Sequence, residues 1–199
     1  MKRIFASLAL ALAMLVPASA ADTPIPQAVR VVVQDRDANF SAGTGTLVED
    51  DLIVTNWHVV KDRAKNGKIV VKFPDGLICE GEVVKTDKVW DLAAIRIEDL
   101  VSVPPLLLGD LPATGDMITV GGYGSGDYKA IAGELRAYVA PDKNTPFDVM
   151  EVKAVVRQGD SGGAMVKDGK LVGVLFGCDG IATYGSCVLQ VRKFLEGVE

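Results

Sequence analysis

The feature that most constrains the fold is a rhythm. From Ala28 onward, short runs of Val, Ile, Leu and Thr return about every ten residues, broken by Gly, Pro, Asp and Asn. No helical period runs through them, and segments of this length and composition form strands that turn back on their neighbours. The chain therefore reads as all-β. Six strands are expected in the first half, over 28–35, 43–49, 52–56, 68–73, 78–86 and 92–97, with turns such as Pro74-Asp75-Gly76 between them. Six more are expected over 117–123, 128–139, 148–156, 163–167, 171–178 and 184–189, where Asp168-Gly169 marks a tight hairpin. Between the two sets, Pro104 and Pro105 cannot donate to a sheet ladder, so 102–109 reads as a connector. Two six-stranded antiparallel β-barrels packed side by side follow, since closure removes exposed sheet edges, and a cleft would run between them. The expected boundaries are 21–105 for the first barrel and 106–199 for the second. Val191, Phe194, Leu195 and Val198 form one apolar face of a short C-terminal helix.

Residues 1–20 stand apart: Met1-Lys2-Arg3 is basic, 4–16 is apolar, and Ala18-Ser19-Ala20 ends in a small-residue cleavage pattern. This reads as a secretory signal peptide and places the mature chain in the periplasm or outside the cell. The apolar stretch is shorter than the roughly twenty residues that span a bilayer, so no stable membrane insertion is expected. Removing it leaves 19 basic and 26 acidic residues, an acidic balance that argues against nucleic acid as a partner. The chain has one histidine and no C-x-x-C spacing, so neither a metal site nor a cofactor is expected. Nothing in the pattern specifies an oligomer.

Chemistry concentrates in three places. Gln158-Gly159-Asp160-Ser161-Gly162-Gly163 sets a serine in a glycine-flanked loop, where the N–H groups of Gly159 and Ser161 can face one point beside the hydroxyl. His58, the single imidazole, follows the apolar run Ile53-Val54-Thr55 and is the one side chain that ordinarily titrates near neutral pH. Asp91 stands at the entrance to the apolar run Leu92–Ile97, where a carboxylate can be held against an imidazole, with Asp87 as its nearest rival. Each has an ordinary alternative: a polar turn, a packed structural histidine, a turn-forming aspartate. Together they supply a nucleophile, a general base and the group that orients the base. A separate run, Gly121-Gly122-Tyr123-Gly124-Ser125-Gly126, lacks the third glycine and the following helix of a phosphate loop and reads as a β-turn.

Taken in order, T-N-W-H-V, D-L-A-A-I and G-D-S-G-G resemble the chymotrypsin-like (trypsin-like) serine peptidases. The spacings of 33 residues from His58 to Asp91 and 70 from Asp91 to Ser161 look most like bacterial Deg-type protease domains. The resemblance implies hydrolysis of protein or peptide substrates through an acyl-enzyme on Ser161. A silent binding module on the same fold, or a serine esterase or acyltransferase, remain as alternatives. Deg-type proteins usually carry a PDZ domain, and the 38 residues after Ser161 are too few for one, so a protease domain without PDZ is expected. In the digestive branch of this family the acid before the serine pairs with an N-terminus released from a zymogen. No Ile/Val-Val/Ile-Gly-Gly start lies near Ala21, so an enzyme active after leader removal is expected, with Asp160 bonded within its own loop.

The resemblance also places Val155, six residues before Ser161, at the base of the specificity pocket. With Gln158 beside it and Tyr184 and Ser186 on the far wall, cleavage after small or medium apolar residues is expected, unless Asp179 or Glu151 enters the pocket. The backbone of 184–188 is expected to pair with substrate as an added strand. Cys178 and Cys187, on adjacent strands of one hairpin, are expected to form a disulfide, leaving Cys79 as the odd thiol.

Overall fold

The computed structural model describes residues 25–64, 67–98, 101–140 and 148–198; the expected leader, 1–20, lies outside them. The first six strands are β1 (Ala28–Gln34), β2 (Phe40–Leu47), β3 (Leu52–Thr55), β4 (Ile69–Lys72), β5 (Ile78–Asp87) and β6 (Leu92–Ile97). They close in the order β1-β2-β3-β6-β5-β4, every neighbour antiparallel. A four-residue helical turn, α1 (Trp57–Val60), leaves the end of β3. The second barrel contains β7 (Met117–Gly122), β8 (Lys129–Val139), β9 (Val149–Val152), β10 (Ala164–Lys167), β11 (Lys170–Cys178) and β12 (Thr183–Cys187), in the order β10-β11-β12-β9-β8-β7. The C-terminal helix α2 (Val188–Leu195) packs on β11 and β12.

Alternation along the strands sorts side chains between two kinds of core. In β1, Val29, Val31 and Val33 point into the first barrel with Leu47, Ile53, Phe73 and Ile95. In β3, Ile53 points inward while Leu52 and Val54 point the other way, into a layer shared with Leu92, Leu106, Leu171, Val174, Val191 and Phe194. That layer joins the barrels and fixes the cleft. Each large side chain buried there is worth roughly 1.5–3 kcal/mol relative to exposure. The connector crosses the same seam: Leu106 N donates to Leu47 O (2.9 Å) and Gly109 N to Leu171 O (2.8 Å). The Asp168-Gly169 hairpin forms as expected, with φ of 49° and 72° and Lys167 paired to Lys170.

Several elements differ from expectation: β2 runs from Phe40 to Leu47 where 43–49 was expected, and the turn α1 was not foreseen. β9 stops at Val152, because Ala154 N turns back to Val152 O (2.8 Å) and Lys153 N is taken by Glu134 O (2.9 Å). Helix α2 begins at Val188, inside the segment expected to be strand, where the Gln190 side chain accepts the N–H of Cys187 (2.6 Å) and satisfies a free donor at the helix start.

Candidate active site

The path of the chain around Asp91 explains why a carboxylate stands there. Asp87 accepts the N–H groups of Val89 (2.8 Å) and Trp90 (2.9 Å), closing the turn that ends β5. The rival aspartate is thus the turn-former. Asp91 follows with φ of +51°, a left-handed conformation that costs a non-glycine residue of order 1 kcal/mol or more and persists where surroundings hold it. Here they do. The Asp91 carbonyl accepts Trp57 N (3.2 Å) and Asn56 Nδ2 (2.9 Å), and on the other side Ser186 Oγ donates to the Trp90 carbonyl (2.7 Å). Asp91 Oδ1 accepts the backbone N–H of His58 (2.9 Å), and Oδ2 lies 2.6 Å from His58 Nδ1. Both carboxylate oxygens are engaged by one residue, which sets the imidazole plane and leaves its Nε2 for other chemistry. The pair is open enough for a substrate to reach, with the side chains 37 % and 22 % exposed.

The serine loop is built by glycines that no other residue could replace. Gly162 has φ of +86°, and a Cβ there would collide with Thr44 O and Thr55 Oγ1. Gly159 has φ of +90°, and its Cβ would collide with Gly124 O. The loop can therefore lie flat against the first barrel. Thr44, fully buried on β2, makes that junction: its N donates to Ser161 O (2.8 Å), its Oγ1 donates to Gly159 O (3.0 Å) and accepts Tyr123 N (2.9 Å), and its own carbonyl accepts Thr55 Oγ1 (2.6 Å). A Cβ on Gly43 would stand 2.8 Å from the Val59 side chain and 3.2 Å from Ser161 O, so the serine backbone can approach the turn that carries His58 only because this residue is glycine. Among the described residues no acceptor engages the N–H of Gly159 or Ser161. Ser161 Oγ rests against Phe176 O at 3.5 Å.

The other expected site residues fare unevenly. Val155 is half exposed and Gln158 exposed beside the serine loop. Tyr184 donates its hydroxyl to Asp179 (2.9 Å), whose carboxylate also accepts Ile181 N and Ala182 N (2.8 Å each). Those bonds, the Ala182 N–H first, hold the Asp179 carboxyl below its ordinary value. Glu151 faces Arg136 at 3.6 Å.

Three expectations are corrected. The Ser186 side chain is fully buried and turned to the Trp90 carbonyl, so it holds the backbone before Asp91 and forms no pocket wall. The backbone of 184–188 has no free edge to offer a substrate, because β12 pairs with β11 on one side and β9 on the other and 188 begins α2. The strand beside Ser161 is the end of β11. There Gly162 N donates to Leu175 O (2.9 Å), β10 pairing stops at Val174, and a Cβ on Gly177 would meet nothing. Cys178 and Cys187 form no disulfide. Cys178 pairs with Thr183 and Cys187 with Gly173, about five strand residues or roughly 16 Å apart, well beyond the Cα reach of a disulfide. Cys178 is exposed, while Cys187 and Cys79 are buried.

A histidine–aspartate pair on one six-stranded barrel and a glycine-framed serine on the next define the chymotrypsin-like class of fold and site. Residues 43–174 match the sequence profile of the Trypsin-like peptidase domain. The chain belongs to that family. It is 35 % identical over 155 residues to mouse serine protease HTRA4, covering 73 % of this chain and 32 % of that protein. It is 34 % identical over 146 residues to serine protease Rv3671c of Mycobacterium tuberculosis, covering 68 % and 36 %. The crystal structure of Rv3671c in its active form superposes with a TM-score of 0.77 at 28 % identity, over 87 % of this chain and 81 % of that one. The chain spans about a third of the length of these curated relatives.

Proposed function

We propose that this chain is a serine endopeptidase in which His58, Asp91 and Ser161 form the catalytic triad. The observation that carries the reading is the two-point hold of Asp91 on His58, through Nδ1 at 2.6 Å and the backbone N–H at 2.9 Å, beside a serine loop with two unengaged N–H donors. Rotation of Ser161 χ1 carries Oγ from Phe176 O toward the cleft, where His58 Nε2 takes its proton as Oγ attacks the scissile carbonyl. Asp91 keeps the Nδ1–H tautomer and stabilises the imidazolium. The N–H groups of Gly159 and Ser161 receive the oxyanion. His58 returns the proton to the leaving amine, and a water then repeats the sequence to release the acyl group.

Substrates are proteins or peptides that lie along β11 at Phe176–Cys178. Cleavage follows small or medium apolar residues: half-exposed Val155 carries no charge, and Asp179 and Glu151 are occupied by Tyr184 with backbone donors and by Arg136. A buried unpaired Lys or Arg of the substrate would be strongly disfavoured there. The reading also has the chain exported by 1–20 to the periplasm or the exterior, which N-terminal sequencing of the mature protein tests by a start at Ala21. Among the described residues no helix is long and apolar enough to cross a membrane. The direct test is a fluorophosphonate probe with a fluorogenic peptide library. Labelling and peptide cleavage, both lost in Ser161→Ala and His58→Ala, support the peptidase; a wild-type protein that binds peptides without labelling is a binding module.

A further inference from the structure

The acid that precedes the nucleophile is 3 % exposed, and a carboxylate so placed must find a cation or strong donors. In this chain the cation comes from three residues upstream. Arg157 donates to Asp160 Oδ2 from its backbone N (2.6 Å) and Nε (3.2 Å), and to Oδ1 from Nη2 (2.9 Å). Asp160 N returns a bond to Arg157 O (3.1 Å), so 157–160 closes as a ring with Gly159 inside it. The same Nη2 reaches out of the loop to Gly122 O and Asp127 O (3.0 Å each). The facing turn fits around it: a Cβ on Gly124 would stand 2.7 Å from the guanidinium carbon, and one on Gly122 would stand 2.6 Å from Asp160 Cα.

We propose that Arg157 is a positioning residue which neutralises Asp160 from within the serine loop and so holds the Gly159 and Ser161 donors in working geometry, with no released N-terminus required. The inference rests on the peptidase reading above and concerns how that site is kept assembled. Gly159 is bracketed by the ion pair, and its carbonyl is already fixed by Thr44, so the direction of its N–H depends on the two residues that close the ring. Losing the guanidinium would leave a buried charge, and the loop would move to bring Asp160 to water, taking the donors with it.

A guanidinium keeps its charge across the working range, whereas a terminal ammonium loses it near pH 8. Among the described residues, Tyr128 on the facing turn interacts with Asp160 and packs edge-on against Tyr123, and the neighbouring Asp127 meets Arg157 through its carbonyl. Burial raises both tyrosines, Tyr128 to about 12, so neither phenol gains charge there. A site latched by Arg157 therefore keeps its activity on the alkaline side of pH 8.

The experiment compares full-length wild type, Arg157→Met, Arg157→Lys and the double variant Arg157→Met/Asp160→Asn by the rate of fluorophosphonate reaction at Ser161 and by kcat and KM on one peptide. Arg157→Met is expected to lose about 100-fold in kcat, the effect of an oxyanion donor, with KM within a few-fold. The double variant is expected to recover at least tenfold, because it removes the orphaned charge. Arg157→Lys is expected to fall between wild type and Arg157→Met, because it keeps the charge beside Asp160 and loses the planar fork that engages both carboxylate oxygens. Wild type bearing an N-terminal extension is expected to match the unextended form. If Arg157→Met does not fold, the lysine and double variants carry the same comparison. A reactive wild type equalled by Arg157→Met, or one that loses activity near pH 8 or on N-terminal extension, overturns the latch alone. A wild type that does not react overturns the peptidase reading and the latch with it.

Discussion

Thr44 and Thr46 sit two residues apart on β2, both fully buried, yet their hydroxyls have opposite circumstances. Thr44 Oγ1 serves Gly159 O and Tyr123 N, while Thr46 Oγ1 has no hydrogen-bond partner among the described residues. Substituting valine replaces a hydroxyl by a methyl of nearly the same size. Thr44→Val then strands a carbonyl and an N–H, each at about 1–3 kcal/mol, for a total of roughly 2–6 kcal/mol. At the middle of that range the melting temperature falls by about 8–16 °C in a domain of this size. Thr44→Ser keeps both bonds and gives up one buried methyl, about 1 kcal/mol. Thr46→Val removes a hydroxyl that gains nothing from folding, so it is expected to be neutral or mildly stabilising. Urea unfolding followed by circular dichroism gives the three stabilities, and the probe rate at Ser161 gives the effect on the site, which Thr44→Val alone is expected to slow. The reasoning fails if Thr46→Val costs as much as Thr44→Val, or if Thr44→Val lies within 1 kcal/mol of wild type.

Asp91→Asn keeps the shape but places an amide against either His58 N or Nδ1, both of which are donors now accepted by Asp91; kcat is expected to fall on the order of 10⁴-fold in steady-state assays with the fold intact. Gly162→Ala forces a methyl into Thr44 O at a positive φ, and the expected result is loss of probe labelling with a lowered melting temperature. Asp179 is held below its ordinary 3.8 by the N–H groups of Ala182 and Ile181 and the Tyr184 hydroxyl, so its stabilisation is present above that pH and is lost as the pH falls through the lower folded value. The gap in urea midpoint between wild type and Asp179→Asn is thus expected to hold at neutral pH and shrink in acid. Native alkylation is expected to modify Cys178 and to reach Cys187 only after denaturation, which mass mapping reads directly.

The two-barrel architecture was legible because alternation and turn residues repeat along the whole chain. β6, for instance, lies where the run Leu92–Ile97 begins and ends. His58, Asp91 and Ser161 were legible for a different reason: their local sequences are rare combinations whose order is meaningful together. What escaped depended on register and on long-range contacts. The disulfide expectation needed Cys178 and Cys187 on one rung, and register is invisible before the barrel closes. The start of α2 was hidden because Cys187 is an unusual residue at a helix entrance. Thr44 escaped altogether, since a residue joining 44 to 123, 159 and 161 leaves no local trace. Arg157 is nearer to detection, three residues before a buried acid, but nothing in the sequence says that Asp160 is buried.

The seam between the barrels has one more consequence. Each barrel completes its own strand pairing, whereas His58 and Asp91 belong to one and Ser161 to the other. Neither half alone holds all three. The three side chains therefore come together only where the halves dock over Leu52, Val54, Leu171 and Phe194. In this design the site is a property of assembly, made where the two barrels meet and by neither of them alone.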